Sequence, residues 1–155
     1  MTREMTEHGA ALGRVIFETL RLASRLHMAG DALVSDAGLT SARWQILATA
    51  AFREDPQTVS GIARILGMAR QSVQRVANEL EAAGFIRLAV NPAHKRARLV
   101  IVTKEGHSAL AAAEERRIPW TESLAAMLGG TNLAAAEEAL AKLRDALDRR
   151  IPEKR

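Results

Sequence analysis

The stretch TVSGIARILGMARQSVQRVANELEAAGFIRL, residues 58–88, contains two short helical patterns that follow each other almost directly. Apolar residues recur at i, i+3, i+4 and i+7 from Val59 to Leu66 and again from Val73 to Leu80. Each pattern is closed by a glycine, Gly67 or Gly84. Because Gly-Met-Ala alone separates the two predicted helices, the second of which starts near Arg70, the chain must turn tightly between them. The sequence therefore predicts two helices that cross at a steep angle as a helix-turn-helix.

The second of these predicted helices has a polar face as regular as its apolar one. The members of this face share the same helical spacing and include no acidic residue: Gln71, Gln74, Arg75 and Asn78. Amide side chains can bond bidentately to adenine and Arg to guanine, and Arg70 and Ser72 near the helix start are placed for phosphates or base edges. A face that only meets water usually mixes Lys, Glu and Asp, so we interpret this one as DNA-reading.

Strand-like runs follow the second helix. FIRLAV and RARLVIVT are rich in Ile, Val and Leu, and the turn NPAHK joins them. They predict a β-hairpin whose exposed tip carries His94, Lys95 and Arg96. Seven basic and two acidic residues lie between Thr58 and Thr103, so this segment carries a charge of +5, whereas the whole chain carries +4 and the remainder therefore −1. Charge concentrated in this way attracts phosphates, and we interpret the hairpin as a wing that reaches a minor groove.

The composition narrows the class of protein. The 155 residues are 48% hydrophobic and 26% charged but only 3% aromatic, which is typical of a globular chain built mostly from helices. The absence of cysteine excludes disulfides, thiol redox sensing and a cysteine nucleophile. The polar N-terminus has no signal-peptide pattern and no run approaches about 18 apolar residues, so we expect a cytoplasmic protein without a membrane span. The chain also lacks recognisable catalytic motifs, and we expect no enzymatic activity, no cofactor and no metal site.

Long helical patterns flank the central segment on both sides. The N-terminal pattern has two apolar stripes: Leu12, Ile16, Leu20 and Ala23, and Val15, Leu22, Leu26 and Ala29. After a break at two glycines with Thr131 or Asn132 as the cap, the last helix has one such row: Leu133, Ala136, Leu140, Leu143 and Leu147. We expect Pro119 to kink or end the helix that contains it. The predicted organisation is a helical dimerisation region at 10–36 and 104–150 around a winged helix-turn-helix DNA-binding domain at 39–103.

Taken in order, these patterns resemble the MarR-type winged-helix transcriptional regulators. LTSARWQIL is similar to the family's second-helix pattern, residues 58–88 to its helix-turn-helix, and NPAHKRARLVIVTKEG to its wing, with Thr103 and Gly106 after it. The resemblance extends from about Leu12 to Leu147. It implies a mainly α fold with a small β-hairpin wing, a homodimer, binding to a pseudo-palindromic DNA operator, and repression as the commonest outcome. In many members of the family a small phenolic or lipophilic ligand causes release.

Two residues depart from the family's pattern. His94 stands where these proteins commonly carry an Asp that orients the neighbouring wing Arg, so no carboxylate next to it supports Arg96. The tip becomes more cationic, which favours phosphates, while the Arg is held less rigidly. Ala69 stands where a Ser usually caps the recognition helix, and an Ala at that position forfeits about 1 kcal/mol of capping.

A ligand-responsive regulator also needs a cavity, which the resemblance places between the dimer helices and the helix-turn-helix. The candidate lining residues are large side chains in an aromatic-poor sequence: His27, Trp44, Phe52 and Trp120. The alternative interpretation of these rings is ordinary core packing. A second class of function also stays open at this point, namely a winged-helix module for protein contacts or for architectural coating of DNA, without regulated release.

Overall fold

The computed structural model describes residues 5–94 and 96–150. The chain divides into two compact units, one that runs up to Ile118 and one that begins at Pro119. The described part contains these helices and strands in chain order: α1 (Glu7–Val34), α2 (Ser41–Ala51), β1 (Gln57–Thr58), α3 (Val59–Leu66), α4 (Arg70–Ala82), β2 (Ile86–Ala89), β3 (Leu99–Val102), α5 (Lys104–Met127) and α6 (Leu133–Asp148). The predicted fold class, mainly helical with a small β wing, is confirmed. Among the described helices, none combines the length and the apolar character that crossing a membrane requires.

The ends of the short helices follow from local sequence. The Thr40 and Thr58 hydroxyls cap α2 and α3 by accepting backbone N–H bonds at 3.2 and 3.1 Å. Gly67 closes α3 in the left-handed conformation, and Gly84 adopts the same conformation after α4. Ala69 occupies the N-cap position of α4 and offers no side-chain acceptor, so the uncapped start predicted from the sequence is confirmed.

The core of the first unit lies where α2, α3 and α4 meet under the sheet. Its most deeply buried side chains come from several elements: Val34, Ile46, Leu47, Ile62, Val73, Leu80 and Val100. Because the spaced apolar residues of α4, from Val73 to Leu80, are buried in this core, the opposite face of α4 is turned outward. The core thereby fixes which side of the helix-turn-helix is available for binding.

The three strands form one antiparallel sheet with β3 in the middle. Val102 of β3 pairs with Ile86 of β2, and Val100 pairs with Gln57 of β1. The predicted hairpin is confirmed, but β3 begins only at Leu99, so the RAR portion of RARLVIVT belongs to the connection and not to the strand. The two-residue strand β1 was not predicted. It joins the start of α3 directly to the base of the wing.

The start of α5 is packed tightly against the chain that leaves α4. A Cβ atom at Gly106 would lie 2.1 Å from the carbonyl oxygen of Phe85, so the close approach requires glycine. The Thr103 hydroxyl donates to the Gly84 carbonyl at 2.6 Å and accepts from the Gly106 N–H at 3.1 Å. The residues that follow β3 therefore contact the chain where it leaves α4.

The long C-terminal helix does not end at its proline. α5 continues through Pro119 to Met127, so of the two expected effects, a kink or an end of the helix, the end does not occur and the kink stays a prediction. Proline removes one backbone N–H donor and the hydrogen bond that this donor would form, but the residues on both sides of Pro119 are helical. The break comes instead at the predicted glycines, where Gly130 is left-handed, and Asn132 then caps α6 by accepting from the Ala135 N–H at 3.0 Å.

Candidate nucleic-acid interface

The outward face of α4 carries the polar residues singled out in the sequence. Gln71, Arg75 and Asn78 are exposed and Gln74 is half-buried. Arg70 and Ser72, in the first turn of the same helix, are exposed as well. The structure thus brings all six side chains to the solvent side of one rigid, core-anchored helix.

Two amides of this face are already hydrogen-bonded to each other. The Gln74 side-chain N–H donates to Asn78 Oδ1 at 2.9 Å, one helical turn away. This contact leaves the Gln74 carbonyl as an acceptor and the Asn78 amide nitrogen as a donor. An adjacent acceptor and donor can match the donor and acceptor that adenine presents in a major groove.

Arg75 contacts an acidic residue, although none of the spaced polar residues of this face is acidic. Its guanidinium forms an ion pair with Glu79, which lies one turn further along α4. The other carboxylate oxygen of Glu79 accepts from Arg43 of α2 at 3.2 Å. No member of the spaced row is acidic, but the sequence interpretation did not foresee that an acid beside the row pairs with Arg75. Glu79 lies beside the spaced row of polar residues and bends back to meet Arg75.

The wing connection places its cationic residues in solvent. His94 and Arg96 are exposed, while Lys95 lies outside the described residues. The turn itself is held by Asn91, whose side-chain oxygen accepts from the Ala93 N–H at 3.0 Å. Among the ion pairs formed by residues 5–94 and 96–150, none involves Arg96.

The β2–β3 connection, which forms the wing, and helix α4 meet in one groove of about 160 Å³. The groove is lined by the start of α3, by α4 and by the β2–β3 connection: Thr58, Val59, Ser60, Arg70, Gln74, Leu88, Arg96, Ala97 and Arg98. Three arginines and two hydroxyl-bearing residues, Thr58 and Ser60, are thus among the residues that line the same space. Guanidinium forks and hydroxyls are the groups that proteins use to hold phosphate oxygens. The groove therefore has the chemistry to hold a nucleic-acid backbone next to the polar face of α4.

The residues proposed for an effector cavity do not lie in this groove. Trp44 packs against the core, His27 and Phe52 are exposed, and Trp120 is half-buried within the second unit. A second groove of about 170 Å³, between the end of α2, β3 and His107, also lacks these side chains. Their assignment to a ligand site stays a prediction.

Comparison with known proteins decides the family. A sequence model described as the MarR family matches residues 37–97, which include α2, α3, α4 and the wing as far as Ala97. The uncharacterized protein Rv2011c of Mycobacterium tuberculosis is 35% identical over 141 residues, which cover 91% of this chain and 97% of the relative. The chain belongs to the MarR family. The family predicted from the motifs is thereby confirmed.

Solved structures agree with this MarR-family assignment. The crystal structure of a MarR family transcription regulator, SP03579, matches with a TM-score of 0.67 and 25% identity over 94% of this chain and 93% of that one. CouR from Rhodococcus jostii RHA1, solved with bound p-coumaroyl-CoA, matches with a TM-score of 0.62 and 20% identity over 86% of this chain and 88% of its own. The protein is a MarR-family transcription regulator.

Several residues of this interface were missed in the sequence, among them Thr58 and Ser60, which line the groove. Arg98 was counted among the basic residues but assigned to a strand, whereas it lines the groove. The pairing of Glu79 with Arg75 was readable as an i, i+4 pair of opposite charges. The contribution of Arg43 had no local signal, because it depends on how α2 packs against α4.

Proposed function

We propose that this MarR-family regulator is a sequence-specific DNA-binding repressor that acts as a homodimer on a pseudo-palindromic operator. The observation that carries the proposal is the groove in which Arg70 of α4 and Arg96 and Arg98 of the wing meet beside the exposed amides of α4. A basic groove holds the phosphate backbone and thereby aligns the polar face with base edges in the major groove.

The proposed roles of the residues follow from their positions. Arg70, Ser72, Arg96 and Arg98 contact phosphates or the adjacent minor groove, where the negative potential favours Arg. Gln71, Gln74, Arg75 and Asn78 read bases. The wing tip at His94 and the neighbouring Lys95 adds phosphate attraction without base preference.

Dimerisation is proposed from exposed apolar side chains on the terminal helices. On α1 they include Leu12, Ile16, Phe17, Leu20 and Leu26, and on α6 Leu133, Leu140 and Leu147. Several large apolar side chains that are exposed together on the surface usually mark a protein interface. A second copy of the chain is the partner with a matching row, and a two-fold dimer presents two copies of α4 to successive major grooves. The division of roles between 10–36, 39–103 and 104–150 belongs to this proposal.

Release by a small lipophilic or phenolic effector is proposed from one buried polar group. The indole N–H of Trp44 is buried and has no hydrogen-bond acceptor among the described residues. A buried donor without an acceptor costs about 1–3 kcal/mol, which an oxygen atom of a ligand would recover. CouR, which shares the fold, holds p-coumaroyl-CoA in its crystal structure.

The experiment is to select the genomic fragments that the protein retains and to titrate the selected site and unrelated DNA by fluorescence anisotropy. Arg75→Ala or Gln74→Ala should weaken operator binding by about 1–3 kcal/mol and binding to unrelated DNA much less, since base contacts carry sequence information. Arg96→Ala should weaken both and reduce the salt slope by about one unit per lost phosphate contact. Arg14→Ala, an exposed Arg on α1, is the matched control and should change neither.

Footprinting of the same operator should protect two half-sites about 10 base pairs apart, because that is the spacing of successive major grooves. A wild-type specificity ratio in both the Arg75→Ala and Gln74→Ala variants would show that the face is merely hydrated. Protection without sequence preference would favour the architectural alternative.

A further inference from the structure

The side chain of Glu79 joins two arginines from different helices. One carboxylate oxygen, Oε1, accepts from Nη1 of Arg75 on the exposed face of α4. The other oxygen, Oε2, accepts from Nε and Nη2 of Arg43 on α2, at 3.2 Å each. The chain of contacts therefore runs from the packed α2–α4 boundary to a side chain on the proposed base-reading surface.

Burial differs along this chain of contacts. The side chains of Arg43 and Glu79 are 28% and 34% exposed, whereas that of Arg75 is 69% exposed. The anchored end is thus partly shielded from water, where ion pairs are screened less than on an open surface. Because two N–H groups of Arg43 donate to the same oxygen of Glu79, they restrict the rotation of the Glu79 carboxylate.

The anchor itself stands on a rigid element. Arg43 lies in the first turn of α2, whose start is fixed by the Thr40 cap and whose Ile46 and Leu47 are fully buried. A long exposed Arg would otherwise sample many rotamers and reach any nearby phosphate. The Glu79 contact both restricts Arg75 to one direction and offsets its positive charge.

We infer that Glu79, held by Arg43, is a positioning residue that sets the ratio of specific to non-specific DNA binding by restraining Arg75. This inference rests on the proposed base-reading role of α4. On the operator, the restrained guanidinium meets its base with less loss of rotamer freedom. On unrelated DNA, the same restraint keeps Arg75 from serving as one more phosphate contact.

The test compares Glu79→Gln with the wild-type protein on the operator and on unrelated DNA at several salt concentrations. Glu79→Gln keeps the shape of the side chain but removes the charge that holds Arg75. Binding to unrelated DNA should tighten, with a salt slope steeper by about 0.9 because one phosphate contact is added. Operator binding should not tighten in step, so the specificity ratio should fall about fivefold, the size of effect expected for a partly exposed ion pair.

Two further variants separate positioning from simple charge. Arg43→Gln keeps the Glu79 carboxylate but frees it from its anchor, and it should also lower the specificity ratio. Glu115→Gln removes one exposed acid from α5 and is the charge-matched control, which should leave the ratio unchanged. In an Arg75→Ala background, Glu79→Gln should no longer alter the ratio, because the coupling acts through Arg75.

The outcomes distinguish this inference from the proposed function. If the wild-type protein prefers its operator and Glu79→Gln leaves the ratio and salt slope unchanged, the inference is wrong and the proposed function stands. A Glu79→Gln effect that persists in the Arg75→Ala background would equally overturn it, since a long-range charge effect would then suffice. A wild-type protein with no operator preference would overturn both. Circular dichroism checks that each variant is folded, and if Glu79→Gln is not, the Arg43→Gln result decides.

Discussion

The winged helix-turn-helix and the terminal helices place the same residue type in opposite environments. Leu80 of α4 is 0% exposed, whereas Leu20 of α1 is 64% exposed. Within α6, whose residues are all described, no side chain is buried. The central segment therefore completes its core within one chain together with Val34 of α1 and the buried first half of α5, while α6 and much of α1 carry apolar rows that one chain leaves in water. This contrast supports the proposal that the exposed rows of α1 and α6 pack against a second copy of the chain.

The largest expected effect is loss of the dimer when α6 is removed. Truncation after Gly129 deletes the apolar row of α6, so the protein should change from dimer to monomer, losing an association that at a micromolar dissociation constant amounts to about 8 kcal/mol. Light scattering at micromolar concentration measures the mass of each form. Truncation after Arg150 is the matched control and should leave the dimer intact. If the untruncated protein is already monomeric under these conditions, the exposed apolar rows of α1 and α6 do not form a dimer interface.

A smaller effect should distinguish the two leucines. Leu80→Ala leaves a cavity in the core and should lower the free energy of unfolding by about 3 kcal/mol at every protein concentration. Leu20→Ala makes the same chemical change on the exposed row of α1, so its cost should be smaller and should depend on protein concentration, as it does for a group that is buried only on association. Chemical denaturation at two protein concentrations checks both. Equal, concentration-independent losses would mean that Leu20 is buried within its own chain.

The smallest pair of changes concerns two helical glycines. Gly106→Ala would bring a Cβ to 2.1 Å from the Phe85 carbonyl oxygen, and the backbone shift that relieves this contact should cost about 2 kcal/mol of stability. Gly13→Ala on α1 meets no atom within 4 Å and should stabilise by about 0.5–1 kcal/mol through higher helix propensity. Thermal unfolding of both variants is sufficient. A destabilising Gly13→Ala would reveal a close neighbour at that position, which a partner chain would supply.

Much of the fold was predictable because its boundaries are set locally. The limits of α3 and α4 follow from apolar spacing and from Gly67 and Gly84, which both adopt the left-handed conformation. The strand β1 was not predictable, since its two residues have no period and exist as a strand only through pairing with β3. Of the two effects expected of Pro119, an end of the helix does not occur, because α5 continues across the missing hydrogen bond.

The candidate site divides in the same way. Helical spacing alone placed Gln71, Arg75 and Asn78 on one exposed face. The charge count located the wing, but the strand-like run RARLVIVT placed Arg98 in a strand, because the start of β3 is fixed by pairing rather than by composition. The ion pair of Arg75 with Glu79 could have been predicted from the i, i+4 spacing of opposite charges. The contact with Arg43, by contrast, forms only when α2 packs on α4.

The uncapped start of α4 has a consequence for local opening and hydrogen exchange. Ser72 holds the same position relative to its helix start as Gly61 does in α3. The Gly61 amide is bound by the Thr58 hydroxyl at 3.1 Å, whereas Ala69 offers the Ser72 amide no such acceptor. The first turn of the helix that carries Arg70 and Ser72 should therefore open more often than the first turn of its neighbour, and its amide hydrogens should exchange faster with deuterium. Ordering this turn on DNA would slow that exchange, so the beginning of the recognition helix acts as a local reporter of the bound state.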